Sequence, residues 1–128
     1  MKNTSQASQA IVLFAHGSRA DTWRAPFDAV LQKLIAKHPN ARVELAFLEF
    51  MSPTLSDSLV AIAADGFERI SIVPLFFGVG NHVARDLGEL VDAFLLNHPN
   101  ISITVAPALG TNDAVLDAMA DYAGSVLV

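Results

Sequence analysis

The chain has 128 residues, of which 52% are hydrophobic and 16% charged, and its mean hydropathy is +0.42; this excludes intrinsic disorder and fits one domain with a core that needs neither disulfides nor a structural metal. It contains no cysteine, which removes iron–sulfur clusters, thiolate zinc sites and cysteine nucleophiles, so any metal chemistry must rest on His, Asp and Glu. Eight Lys and Arg against 13 Asp and Glu give a net charge of −5, which argues against nucleic-acid backbone binding and leaves room only for a local cationic pocket.

Residues 1–9 read as a flexible N-terminal segment and 10–128 as the domain. The apolar run that follows the segment is too short for a signal core or a membrane span, so the chain is expected to be cytoplasmic and to avoid membranes. Four apolar runs, Ala10–Ala15, Val43–Leu48, Ile70–Phe77 and Ile101–Ala106, predict strands. Three of them lack strict alternation, as strands covered on both faces do. The segments between them carry helical stripes: Trp23, Phe27, Val30, Leu31, Leu34 and Ile35; then Leu55, Leu59, Ile62 and Ala63; then Val83, Leu87, Leu90, Val91, Phe94 and Leu95; then Val115, Leu116, Met119, Tyr122 and Val126. Ser52 or Thr54 can cap the second helix, Asn81 the third and Asn112 the fourth, while Gly66 suits the position after the second. The tripeptide His-Pro-Asn recurs at His38–Asn40 and His98–Asn100. Both histidines fit helix C-termini, where positive charge is favoured and the next proline stops the helix. The order β-α-β-α-β-α-β-α, with right-handed crossovers, predicts a single three-layer α/β domain: a four-stranded parallel sheet flanked by helices on both faces.

In such sheets the ligand site lies beyond the carboxyl ends of the strands. There the sequence places His16-Gly17-Ser18-Arg19 after the first strand, Glu49-Phe50-Met51-Ser52-Pro53 after the second, and Gly78-Val79-Gly80-Asn81-His82 after the third. Each residue alone has an ordinary use: a loop histidine, a helix-capping glutamate, glycines in a turn. Together, two imidazoles and a carboxylate on three successive strand-end loops suit Co, Fe, Ni or Zn, with positions left open for substrate.

The stretches Leu13-Phe14-Ala15-His16-Gly17-Ser18-Arg19, Phe47-Leu48-Glu49, Pro53-Thr54-Leu55, Val73-Pro74-Leu75-Phe76-Phe77 and Gly80-Asn81-His82-Val83 resemble the small sirohydrochlorin cobaltochelatases of the CbiX type, in the class II chelatase family. The resemblance runs over nearly the whole chain and implies a chelatase-like half unit. It further implies insertion of a divalent metal, Co²⁺ first and Fe²⁺ or Ni²⁺ next, into sirohydrochlorin for cobalamin or sirohaem synthesis. On this reading His16 and His82 bind the incoming ion, Glu49 joins them in catalysis, and no cofactor is permanently bound. Arg19 and Arg85, with Ser18, would meet the carboxylates of the tetrapyrrole, Arg24 being a weaker candidate. Phe50, Met51, Phe77 and Val79 would form an apolar wall, with Phe76 equally suited to the core. Longer members of the family hold two such units, so a one-unit chain implies a homodimer with its cavity at or near the interface. A carrier that binds Co or Ni without catalysis is the alternative. A histidine phosphatase is disfavoured because Ala15 stands where an Arg would precede the histidine, and a serine hydrolase because Ser18 lacks its glycine context.

Overall fold

The computed structural model describes residues 9–128. Apart from Gln9, which opens the first strand, the segment expected to be flexible lies outside the described residues. The strands are β1 (Gln9–Ala15), β2 (Arg42–Phe47), β3 (Arg69–Pro74) and β4 (Ser102–Val105), and the helices are α1 (Ala25–Lys37), α2 (Leu55–Ala64), α3 (Asn81–Asn97) and α4 (Asp113–Gly124). All strands are parallel, in the order β2-β1-β3-β4. Leu13 sits level with Leu45 on one side and Val73 on the other, so an apolar row crosses the sheet.

The two-residue period of β1 divides the core. Ala10, Val12 and Phe14 join Ile70, Ile72 and the buried residues of α2 and α3 on one face. Leu13 and Ala15 join Leu45 and Phe47 on the other, against Phe27, Leu31 and Leu34 of α1 and the preceding Trp23. Val30 and Ile35, expected on the buried stripe of α1, are exposed, since the face that meets the sheet is already filled by the residues beside them. The single-faced stripes of α2 and α3 hide Leu59, Ile62, Leu87 and Val91 as the pattern requires.

Two expectations change. The apolar runs outlast their strands, so Leu48, Phe76, Phe77 and Ala106 belong to loops. Asn81 does not cap α3: Gly80 holds the extended N-cap conformation and Asn81 is the first helical residue, with no side-chain cap bond. β4, the one strand whose run alternates, is exposed at Ser102, Thr104 and Val105, and α4 has no buried residue. The other termini follow the sequence. Asn112 caps α4 by accepting from the Val115 N–H at 3.1 Å, and Gly66 takes the left-handed conformation (φ 90°) after α2. His38 and His98 both end helices. His98 stacks on Phe94 at 4.1 Å and its Nδ1 lies 3.0 Å from the Phe94 carbonyl, the helix-end contact that the repeated tripeptide implied.

Thr54 caps α2 by accepting from the Asp57 N–H at 3.2 Å. Thr54→Ala should cost about 1 kcal/mol in chemical denaturation; unchanged stability would show that the bond adds nothing. The start of β2 is tied to the end of α2 by Arg42, which donates to Glu44 and to Asp65, while Ser58 donates to Glu44 at 3.0 Å. The bond to Asp65, followed by that to Glu44, raises the Arg42 pKa. Among the described residues no helix is long and apolar enough to cross a membrane.

Candidate functional site

From β1 the chain moves to one side of the sheet and from β3 to the other, so the connections diverge between these neighbours and open a crevice at their carboxyl ends. Backbone pairing continues beyond the strands there. The Leu48 N–H donates to the Ala15 carbonyl at 2.9 Å and the Glu49 N–H to that of His16 at 3.1 Å, which sets His16 and Glu49 side by side. Gly17 makes this approach possible. It is buried at φ 94°, and a Cβ there would stand 1.8 Å from the Glu49 carbonyl oxygen, so no other residue fits without moving one loop. The loop after β2 returns on itself, closed by the Phe47 N–H donating to the Pro53 carbonyl at 2.9 Å.

The His16 Nδ1 lies 3.2 Å from the Gly17 carbonyl. A carbonyl only accepts, so this contact assigns the proton to Nδ1 and leaves the Nε2 lone pair open. That Nε2 is 3.7 Å from Glu49 Oε1, and the two side chains are 51% and 48% exposed. The separation is too long for a hydrogen bond. It suits two donors of one ion, because ligands each about 2.0–2.2 Å from a metal stand roughly 3–4 Å apart. Phe76 meets His16 edge-on at 6.1 Å and Phe14 at 5.6 Å, so the same ring steadies the imidazole and joins the core.

The third expected group is held elsewhere. His82 is in the first turn of α3, exposed, with Nδ1 3.0 Å from an Arg85 guanidinium nitrogen. Arginine can only donate, so Nδ1 accepts and its lone pair is occupied. Among the described residues, no three or more His, Asp or Glu side chains stand close enough together to hold a metal ion. One chain therefore presents a two-donor site, His16 with Glu49, and His82 would have to leave Arg85 to join it.

Arg19 stacks on the Phe50 ring at 4.7 Å and has no carboxylate partner among the described residues. Phe50 is bulky, exposed and in the left-handed region at φ 68°, a conformation that costs energy and points its ring outward beside the site. Ser18 is committed locally: its Oγ accepts from the Ala20 N–H at 3.1 Å. Arg24 is bound to Asp28 through two nitrogens, at 3.1 and 3.2 Å, and lies over Phe47, which makes it a structural residue. Met51 packs against the α1-side core, whereas Phe77 is exposed and Val79 half-buried. Gly110, which the sequence did not single out, fixes the Phe77 loop. Its N–H donates to the Phe77 carbonyl at 2.8 Å, and a Cβ there would stand 2.2 Å from that oxygen. The sequence signal was a glycine soon after the fourth apolar run. A polar depression of about 290 Å³ between Gly66–Glu68 and Asn97–Ile101 lies at the amino ends of β3 and β4, away from these groups.

A family model described as CbiX matches residues 10–125. Among curated relatives, the sirohydrochlorin cobaltochelatase of Methanococcus aeolicus is 34% identical over 83 residues, covering 65% of this chain and 58% of that protein. The sirohydrochlorin cobaltochelatase of Saccharolobus solfataricus is 32% identical over 111 residues, covering 82% of this chain and 85% of the relative. The sirohydrochlorin chelatase SirB from Bacillus subtilis subspecies spizizenii, in complex with cobalt, superposes with a TM-score of 0.78 at 27% identity. It covers 93% of this chain, and this chain spans 51% of it.

Proposed function

Because the chain belongs to the CbiX family, we propose that it is a chelatase that inserts a divalent metal ion into sirohydrochlorin, the substrate named for its relatives. The observation that carries this reading is the His16 Nε2 and Glu49 Oε1 pair, 3.7 Å apart on adjacent strand ends and open to solvent. Cobalt is the first candidate, with Fe²⁺ and Ni²⁺ suited to the same donors. No resident cofactor is needed; the ion is a substrate.

In this proposal the incoming ion exchanges water for the His16 Nε2 and a Glu49 oxygen. The Nδ1–H contact to Gly17 keeps the imidazole in the tautomer that can ligate. His82, released from Arg85, supplies a further donor as the macrocycle arrives. Insertion then exchanges these protein donors for pyrrole nitrogens. One divalent ion enters and two pyrrole protons leave, to Glu49 and to an imidazole or water, so charge balances. Arg19 and Arg85 meet the substrate carboxylates, while Phe50, Phe77 and Val79 offer the apolar wall. Ser18 and Met51 act as supports for the loops that carry these groups. Two copies of the chain enclose the macrocycle, which one half-exposed face covers poorly, and the reaction takes place in the cytoplasm.

The test is the absorbance change of sirohydrochlorin with purified protein and Co²⁺, Fe²⁺ or Ni²⁺ in turn. Saturable metal binding with no spectral change would overturn catalysis in favour of a metal carrier. Glu49→Gln keeps size and hydrogen bonding but removes the charge. Turnover should fall by roughly 100-fold together with metal affinity, as a two-donor site requires, whereas a fall in turnover with affinity kept would make Glu49 a proton acceptor and not a ligand. Wild-type turnover in this variant would remove Glu49 from the mechanism.

A further inference from the structure

The two candidate histidines are held in opposite tautomers by their neighbours. His16 donates its Nδ1–H to the Gly17 carbonyl, which leaves the Nε2 lone pair beside Glu49. At His82 the contact is reversed. Its Nδ1 lies 3.0 Å from a guanidinium nitrogen of Arg85; a guanidinium has no acceptor, so Nδ1 accepts and the ring's own proton sits on Nε2. A neutral imidazole has one lone pair, and here it is occupied. Ligation through Nε2 instead would move the ring proton to Nδ1, where it would face an arginine N–H with no acceptor between them. His82 therefore has no nitrogen to offer an ion while Arg85 stays in place.

Helical spacing sets up this contact, since the two residues are three apart near the start of α3. The partner is not the obvious one. Glu89 stands four residues beyond Arg85, at the spacing of a helical ion pair, yet Arg85 forms no salt bridge with it or with any other carboxylate among the described residues. The first turn of α3 has no acidic residue either. Arg85 thus keeps its charge unpaired and donates one N–H to an exposed, neutral ring. A bond of that kind is weak in water, and a carboxylate, which can take two guanidinium N–H groups at once, displaces an imidazole readily.

We propose that Arg85 is a positioning residue that latches His82, withholding this donor until a carboxylate of the incoming substrate takes the guanidinium. This rests on the chelatase reading given above and adds the order of events. Without the macrocycle, the protein holds the ion on His16 and Glu49. Arrival of the carboxylate-bearing macrocycle draws Arg85 away, and the released His82 lone pair completes a set of three donors. Metal and macrocycle then tighten each other's binding through one side chain, and linkage makes the factor the same in both directions. A protein that has no macrocycle does not hoard the ion.

The test is a cycle of Arg85→Leu, His82→Ala and the double variant, with Co²⁺ affinity measured in the absence of macrocycle. Leucine suits an exposed helical position, so the circular dichroism spectrum should not change. Arg85→Leu should bind Co²⁺ about 3- to 10-fold more tightly than wild type, the span of one net hydrogen bond. His82→Ala should match wild type, because its donor is withheld in any case, and the double variant should fall back to the same value within the small effect of one exposed charge. A gain of the same size in the double variant would reflect removal of a positive charge alone and would overturn the latch. So would an Arg85→Leu affinity no higher than that of wild type. Kinetics supply the second arm. In wild type the apparent KM for Co²⁺ should fall as sirohydrochlorin is raised; in Arg85→Leu it should start low and stay flat, while the KM for sirohydrochlorin rises. A wild-type KM for Co²⁺ indifferent to sirohydrochlorin would overturn the carboxylate trigger. The expected affinity cycle in a protein inert toward sirohydrochlorin would leave the latch standing and remove the chelatase reading.

Discussion

His16→Ala should lower metal insertion by roughly 100- to 10,000-fold, the range spanned by loss of a positioned donor or base, while the protein stays folded. The imidazole is about half exposed, so its removal opens no cavity in the core, and among the described residues its polar contacts are the Gly17 carbonyl and Glu49. Loss should appear in metal affinity as well as in turnover, because Nε2 supplies the one lone pair of the site already facing a carboxylate. His82→Ala should lose turnover too but keep more of the initial metal affinity, since its Nδ1 is engaged by Arg85 before substrate arrives. His38→Ala and His98→Ala are the controls. Both residues sit at helix ends at the other end of the sheet, and His98→Ala gives up its stack on Phe94, so it should lose stability and not activity. Near wild-type insertion by folded His16→Ala, measured by the sirohydrochlorin spectrum, would displace the site from this loop pair.

Gly17→Ala should be the most damaging single-methyl change in the chain, with folding stability lowered by about 3 kcal/mol or more, at the upper end of what single substitutions do. Two costs combine: a left-handed backbone at φ 94°, and a Cβ placed 1.8 Å from the Glu49 carbonyl oxygen. Relief requires the β1 and β2 loops to separate, which breaks the bond from the Glu49 N–H to His16 and parts the two donors. Insertion should therefore fall by more than the loss of folded protein explains. Gly78→Ala, where a Cβ meets nothing within 4 Å, should be nearly neutral in the same denaturation series. Equal midpoints for the two variants would show that the loops yield without cost.

The fold was legible where one residue's environment repeats along an element. The buried runs of β1 to β3 and the single-faced stripes of α2 and α3 record burial directly, and their positions followed. The apolar pattern of α4 was equally plain, yet its place was not, because periodicity states that a face is hidden without saying which surface hides it. The strand-end position of His16 and Glu49 was legible from the breaks after the apolar runs. Their adjacency was not, since it depends on β2 lying beside β1 and on a glycine that lets two backbones approach. The engagement of His82 was not legible either, for a local reason: an arginine three residues on, at helical spacing, meets its Nδ1. The Phe76–Phe77 pair was ambiguous because it continues an apolar run past the strand end, where alternation no longer assigns a face. The structure turns Phe76 inward and leaves Phe77 out.

The ladder that continues past β1 into the His16 and Glu49 loops also governs how this site moves. The Leu48 N–H is bonded to Ala15, whose side is fully buried, and the Glu49 N–H is bonded one step further out. Amides held this way exchange with solvent only through large openings, unlike those of ordinary exposed loops. Slow hydrogen exchange at Leu48 and Glu49, beneath side chains that solvent reaches freely, would mean that the donors keep their spacing whether or not an ion is present. Capture of a metal would then be governed by the rate at which the ion sheds water and carry almost no cost of ordering the protein.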